Sequence, residues 1–174
     1  MITLVSIINE AAFIEGYDVR SSELHGLSQR GGSVVIHVKF GKKINSPLVV
    51  RGKADLILGL EILEGLRGAE FAGKNTKFLI NKYTLPFMGG MNEKEILENL
   101  NKTAKDNLGL VPASDICKEK LGKEVVSGTY LLGYGVYKKM IPLKSDSVLR
   151  AIEKVIPQKY LDLNIKAFKL SHGN

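Results

Sequence analysis

Cysteine is almost absent from this 174-residue chain: Cys117 stands alone. One thiol can form no internal disulfide and cannot by itself cage zinc or an iron–sulfur cluster. A reducing, cytoplasmic setting fits that usage, and Cys117 itself is expected as a semi-buried helix residue. Motifs are missing as well. No G-x-G-x-x-G, Walker loop, H-E-x-x-H or G-x-S-x-G occurs, so the residues alone assemble no complete catalytic constellation and no metal site. No internal repeat and no low-complexity tract is found. The apolar start, MITLVSIINEAAFIEG, has no basic segment before it, and Asn9, Glu10 and Glu15 interrupt it. It is too short to span a bilayer and reads as a core helix, so no membrane partner is expected.

What is present suits one domain over 1–174, since hydrophobic residues at 44% supply a core and charged residues at 25% a solvated surface. The net charge of +7 raises the question of nucleic acid. Residues 1–70 carry eight basic and eight acidic side chains, whereas residues 71–174 carry seventeen and ten. In the second part lysines such as Lys94, Lys102, Lys118 and Lys166 alternate with acids such as Glu95, Glu98 and Glu119. Solvated helix faces have that mixture. Only five of the 25 cations are arginine and no aromatic-interleaved basic strand accompanies them. No nucleic-acid partner is therefore expected, and a basic RNA-binding protein is the weakest reading.

Periodicity predicts the elements. Leu4, Ile7, Ile8, Ala11, Ala12 and Ile14 fall on one helical face, and Gly16 stands at the helix C-terminus. Tyr17 to Arg20 reads as a short strand and Val34 to Phe40 as a longer one, with Leu48 to Val50 as a short antiparallel strand pairing back. Asp55 to Gly59 reads as a strand buried on both faces, followed by a helix over Glu61 to Phe71 and a strand over Thr76 to Ile80. A helix capped by Asn92 runs over Glu93 to Asn107, and Leu110 to Ala113 forms a last strand. Ser114 caps a helix ending at Leu121, and three more helices follow over Val125–Lys139, Ser145–Ile156 and Gln158–Ser171. Strand–helix–strand units imply crossovers, hence a three-layer α/β/α fold with a mostly parallel sheet and a helical C-terminal third. The usual opening strand of such a domain is absent, because the chain begins inside its first helix.

The stretch SSELHGLSQRGGSV, Ser21 to Val34, is too polar for a core element. It follows a strand end, where open parallel sheets place ligands. Glu23 can orient His25, and Arg30 beside Gly31 and Gly32 can offer a guanidinium and bare amides to a carboxylate, a phosphate or an acidic partner. An ordinary glycine-assisted loop explains the same residues equally well. His37 is expected as a surface or edge histidine and His172 as an uninvolved tail residue. Tyr130, Tyr134 and Tyr137, interspersed with glycines, read as core packing, with an interface as the alternative.

EGYDVRSSELHGLSQRGGSVVIHVKFG, Glu15 to Gly41, resembles the signature of the 2-oxoacid:ferredoxin oxidoreductase gamma-type domain. Within that family it is most similar to the small (beta) subunit type of indolepyruvate ferredoxin oxidoreductase. The family junction reads S-E-x-H-G-M-S/A-Q-R-G-G-S-V, and only Leu27 departs from it. The similarity continues through ADLILGLEILEGLR (Ala54–Arg67), FLINKYTLPF (Phe78–Phe87), the run from Ser127 to Pro157 and YLDLNIKAFKL (Tyr160–Leu170).

The resemblance implies an accessory subunit, inactive alone. The partner would be a larger catalytic alpha subunit holding thiamine diphosphate and iron–sulfur clusters, this chain binding no cofactor itself. The implied reaction is oxidative decarboxylation of a 2-oxo acid, of the indolepyruvate or arylpyruvate type, to an acyl-CoA, with electrons passed to ferredoxin. Glu23, His25, Gly26, Ser28, Gln29, Arg30, Gly31 and Gly32 would face either substrate and coenzyme A or the partner subunit. A non-catalytic ligand-binding or regulatory domain on the same fold is the alternative. Family members also begin with a strand and a turn like G-x-G-G-Q-G-V. Their absence here implies a start codon assigned too late, bare apolar strand edges, and a homo-oligomer when the chain is isolated.

Overall fold

The computed structural model describes residues 1–25, 33–85 and 91–173. Helix α1 (Ile2–Ile14) buries Leu4, Val5, Ile7, Ile8, Ala11 and Ala12, the stripe expected from its periodicity. Gly16 ends it in the left-handed region, at φ 80°. The chain then enters β1 (Asp18–His25), which pairs antiparallel with β2 (Val34–Gly41), Asp18 opposite Gly41 and His25 opposite Val34. A second, three-stranded parallel sheet has the order β3 (Ala54–Gly59), β4 (Ala72–Asn81), β5 (Leu108–Val111).

Alternation along these strands builds three layers. On β4, Phe78 and Ile80 face α2 (Ile62–Gly68) and α3 (Glu93–Ala104), forming one apolar cluster with Ile62, Ile96 and Leu100. Leu79 faces the other way, toward α4 (Ala113–Leu121) and α5 (Ser127–Tyr137). Leu56 and Leu58 of β3 share that side, joining the cluster of α1, α6 (Ser145–Val155) and α7 (Gln158–Leu170). Val19, Val38 and Phe40 of the β1–β2 ribbon pack on the same cluster. The α/β/α reading and the helical C-terminal third therefore hold.

Several local expectations are corrected. Leu48–Val50 is not a strand: Val49 N–H donates to the His37 Nδ1 at 3.1 Å, a side-chain partner in place of a ladder. β3 is only half-buried and Asp55 is exposed, because its one ladder neighbour is β4. The helix after Glu61 stops at Gly68 and tightens into a 3-10 turn over Ala69–Phe71. The helix starting at Glu93 likewise ends at Ala104 before a 3-10 turn over Lys105–Asn107. β5 opens at Leu108, and the following helix begins at Ala113 with Pro112 at the cap position, not Ser114. The helix expected from Val125 opens as a 3-10 turn over Glu124–Val126. The Asn92 cap is present as drawn: Glu95 N–H donates to Asn92 Oδ1 and Asn92 N–H to Glu95 Oε2, each at 3.0 Å.

Candidate functional site

The polar junction begins inside a strand. β1 continues through Ser21, Ser22, Glu23, Leu24 and His25, where only Tyr17–Arg20 was expected to be extended. Its neighbour β2 is antiparallel, so β1 is not one of the strands of the parallel sheet. Glu23 is exposed and sits opposite Ile36 in the ladder. Gly26, Ser28, Gln29, Arg30, Gly31 and Gly32 lie outside the described residues, and of His25 only the backbone position in β1 is described.

The exit of the junction is fixed against the parallel sheet. Ser33 Oγ donates to the Glu64 carboxylate in the first turns of α2. Glu64 also accepts from Arg67 Nη1 at 2.5 Å, so its charge is balanced. Glu61, 7% exposed, caps the same helix by accepting from Glu64 N–H at 2.9 Å. Since α2 follows β3, Ser33 is held at the carboxyl edge of the parallel sheet, the edge where such sheets carry ligands.

Asn81, 2% exposed at the end of β4, ties that edge together. Its amide nitrogen donates to Leu60 C=O at 3.2 Å and to Ser114 Oγ at 2.8 Å. Its carbonyl accepts from Ser114 N–H at 3.2 Å. Ile62 N–H donates to Tyr83 C=O at 3.0 Å, and Lys82 N–H to Val111 C=O at 2.7 Å. One amide side chain thus joins the ends of β3 and β4 to the start of α4. Sequence reading missed Asn81; an asparagine closing an otherwise apolar strand, FLIN, is the signal that could have found it. Thr84 Oγ1 donates to Glu93 at 3.2 Å across the segment 86–90, which is outside the described residues.

A single cysteine cannot by itself ligate an iron–sulfur cluster. Cys117 is fully buried, not semi-buried, and burial pushes its thiol up to about 11, so the thiol rests protonated in the core. Among the described residues no three His, Cys, Asp or Glu side chains gather as a ligand set. Among the described residues no helix is long and apolar enough to cross a membrane.

His37 is also corrected: it is 6% exposed, not a surface residue. Its ring packs edge-on against Phe71, with centroids 4.7 Å apart. Nδ1 accepts from Val49 N–H, so the neutral ring carries its proton on Nε2, which has no hydrogen-bond partner among the described residues. Burial lowers its pKa, against a weaker upward pull from Glu70. The unfolded chain therefore binds this proton more readily. The contribution is complete above the ordinary histidine value of about 6.5 and is lost as pH falls from there toward the folded value. In His37→Gln the amide oxygen can still accept from Val49 without titrating. Melting of both proteins between pH 8 and pH 5 is expected to show the wild type losing stability below about pH 6.5 more steeply than the variant. Parallel curves would show that His37 is not the titrating group.

Tyr130 is fully buried, and Tyr134 and Tyr137 pack partly buried against the two cores. The three tyrosines are core residues, as read. The exposed His172 packs its ring edge-on to Tyr137, with centroids 4.6 Å apart.

This fold has counterparts. A keto/oxoacid ferredoxin oxidoreductase gamma subunit from Geobacter sulfurreducens superposes with a TM-score of 0.69 at 17% identity, over 98% of this chain and 88% of that one. The pyruvate oxidoreductase subunit PORC from Thermotoga maritima gives 0.70 at 18%, over 98% and 87%. At such identities the likeness concerns the fold. In sequence, the indolepyruvate oxidoreductase subunit IorB of Archaeoglobus fulgidus is 35% identical over 99% of this chain and 88% of its own length. The Pyrococcus horikoshii subunit of the same name is 31% identical over 98% and 87%. The family model described as pyruvate ferredoxin/flavodoxin oxidoreductase matches residues 1–172, and this chain belongs to that family.

Proposed function

We propose that this chain is the smaller, accessory subunit of a 2-oxoacid ferredoxin oxidoreductase acting on indolepyruvate or a related arylpyruvate. The observation that carries the reading is similarity over essentially the whole chain to the IorB subunit of Archaeoglobus fulgidus, at 35% identity. With a single cysteine the chain cannot by itself cage an iron–sulfur cluster, which supports placing the redox cofactors elsewhere. A larger subunit is assigned thiamine diphosphate and the iron–sulfur clusters. Thiamine diphosphate supplies an electron sink for decarboxylation when bound there. Overall, a 2-oxo acid and coenzyme A give an acyl-CoA and carbon dioxide, with two electrons passed singly to ferredoxin.

This chain's part is to present the junction. Glu23 and His25 on β1, together with Gln29 and Arg30 of the same sequence run, are assigned to the face turned toward substrate, coenzyme A or the larger subunit, and Ser33, bonded to Glu64, anchors the exit of that run. The reading is tested by combining the purified larger subunit with this chain and following ferredoxin reduction. Turnover is expected only when both are present.

A further inference from the structure

The segment Lys42–Lys53, KKINSPLVVRGK, crosses from the end of β2 to the start of β3 at the amino edge of the parallel sheet, opposite the junction. It carries four cations and no acid. The even charge balance of residues 1–70 hides this, because the acids lie elsewhere. Lys42, Lys43, Arg51 and Lys53 are all exposed, and Lys74, next to Gly73 on β4, adds a fifth cation. Gly73 lies against the carbonyl of Gly52, which places Lys74 beside the crossing. Only Arg51 is neutralised, by Glu70 at 2.9 Å; the four lysines enter no ion pair among the described residues.

Between these cations the chain exposes aliphatic surface. Residues 47–50 alternate in burial, and Leu48 and Val50 are 49% and 68% exposed. Both stand on the outer side of a crossing that is pinned along its length. Ile44 N–H donates to Asp18 at 2.8 Å, Val49 N–H to His37 at 3.1 Å, and Lys53 N–H to Val50 C=O at 3.1 Å. Fixed backbone spares part of the ordering cost that a mobile loop incurs on binding. Two exposed aliphatic side chains flanked along the chain by Lys42, Lys43 and Lys53 match an interface with an apolar centre and a charged rim. No aromatic side chain lies in the crossing to stack on bases.

We infer that the Lys42–Lys53 crossing is a docking surface for an acidic protein face with an aliphatic centre, and that this face belongs to the larger subunit. The inference rests on the accessory-subunit reading and adds a second contact, at the opposite end of the sheet from the junction. Charge on such a rim acts on encounter rate and salt dependence, and the aliphatic pair acts on dissociation.

The test uses the full chain and the purified larger subunit. Lys42→Glu/Lys43→Glu/Lys53→Glu is expected to raise the dissociation constant roughly tenfold or more and to flatten its salt dependence. Leu48→Ser/Val50→Ser is expected to speed dissociation with little change in salt dependence. Lys94→Glu/Lys102→Glu/Lys123→Glu changes net charge equally and is expected to leave binding near the wild-type value. Should the first reversal misfold, the same three lysines changed to glutamine give the same comparison. Equal binding by wild type, crossing variants and control would overturn the inference while leaving the subunit reading intact. A wild type that never binds the larger subunit would overturn both. Wild type sedimenting with phosphatidylserine–phosphatidylcholine vesicles, lost in the crossing variants while subunit binding persists, would reassign the surface to membranes.

Discussion

Gly133→Val is expected to cost about 3 kcal/mol or more, among the largest losses a single substitution can cause here. A Cβ at Gly133 would meet Phe168 C=O at 2.7 Å and Phe168 Cδ2 at 3.1 Å, and would run into Ser171 Oγ. The carbonyl belongs to the backbone of α7, so the clash is relieved only by moving one helix away from the other. That contact joins α5 to the C-terminal helix, and Phe168, Ala167 and Leu132 at the crossing are fully buried. Gly128, in the first turn of the same helix, is the matched control. A Cβ there meets only Leu4 Cδ2 and Leu60 Cδ2, both at 3.7 Å, which is ordinary contact. Gly128→Ala is expected to stabilise by about 0.5 kcal/mol by narrowing the unfolded ensemble. Thermal melts would therefore move in opposite directions, downward by roughly 6–12 °C for Gly133→Val and slightly upward for Gly128→Ala. Equal shifts of one sign would show that α5 and α7 are not held at this separation.

Asn81→Leu should lose about 3 kcal/mol although leucine is the more apolar side chain. The substitution removes both donations from Nδ2, to Leu60 C=O and Ser114 Oγ, and the acceptor of Ser114 N–H. Leu60 C=O and Ser114 N–H are then left in a buried setting with nothing to replace water. Each unmatched group costs about 1–3 kcal/mol. Asn81→Asp leaves the size and the acceptor unchanged but adds a buried charge, and it should also be destabilised. A double-mutant cycle with Ser114→Ala measures how much of the loss belongs to the shared network. Additive losses would place the cost elsewhere on β4. Because this cluster fixes the ends of β3 and β4 and the start of α4, Asn81→Leu should also weaken assembly more than its stability loss alone would.

Much of the fold was legible because apolar spacing reports burial locally. The stripe Leu4, Ile7, Ile8, Ala11 on α1 and the cap of Asn92 with Glu95 are readable from a few consecutive residues. Strand partners are not local. Nothing between Tyr17 and His25 says that a polar run will extend because β2 lies alongside it, and Leu48–Val50 had β composition without a ladder to join. His37 alternates like a solvent-facing residue, yet Phe71 and the 42–53 crossing cover it from parts of the chain far away in sequence. The candidate site divides in the same way. Its residue types were visible as SSELHGLSQRGGSV, whereas the anchoring of Ser33 on Glu64 and the role of Asn81 depend on contacts across 31 and 33 residues.

The subunit reading is tested most directly by ferredoxin reduction with indolepyruvate and coenzyme A, using the purified larger subunit with and without this chain. Electron transfer and carbon dioxide release are expected when the two chains are combined, with loss of most of that rate when this chain is withheld. A larger subunit that turns over equally well alone, or that never associates with this chain, would contradict it.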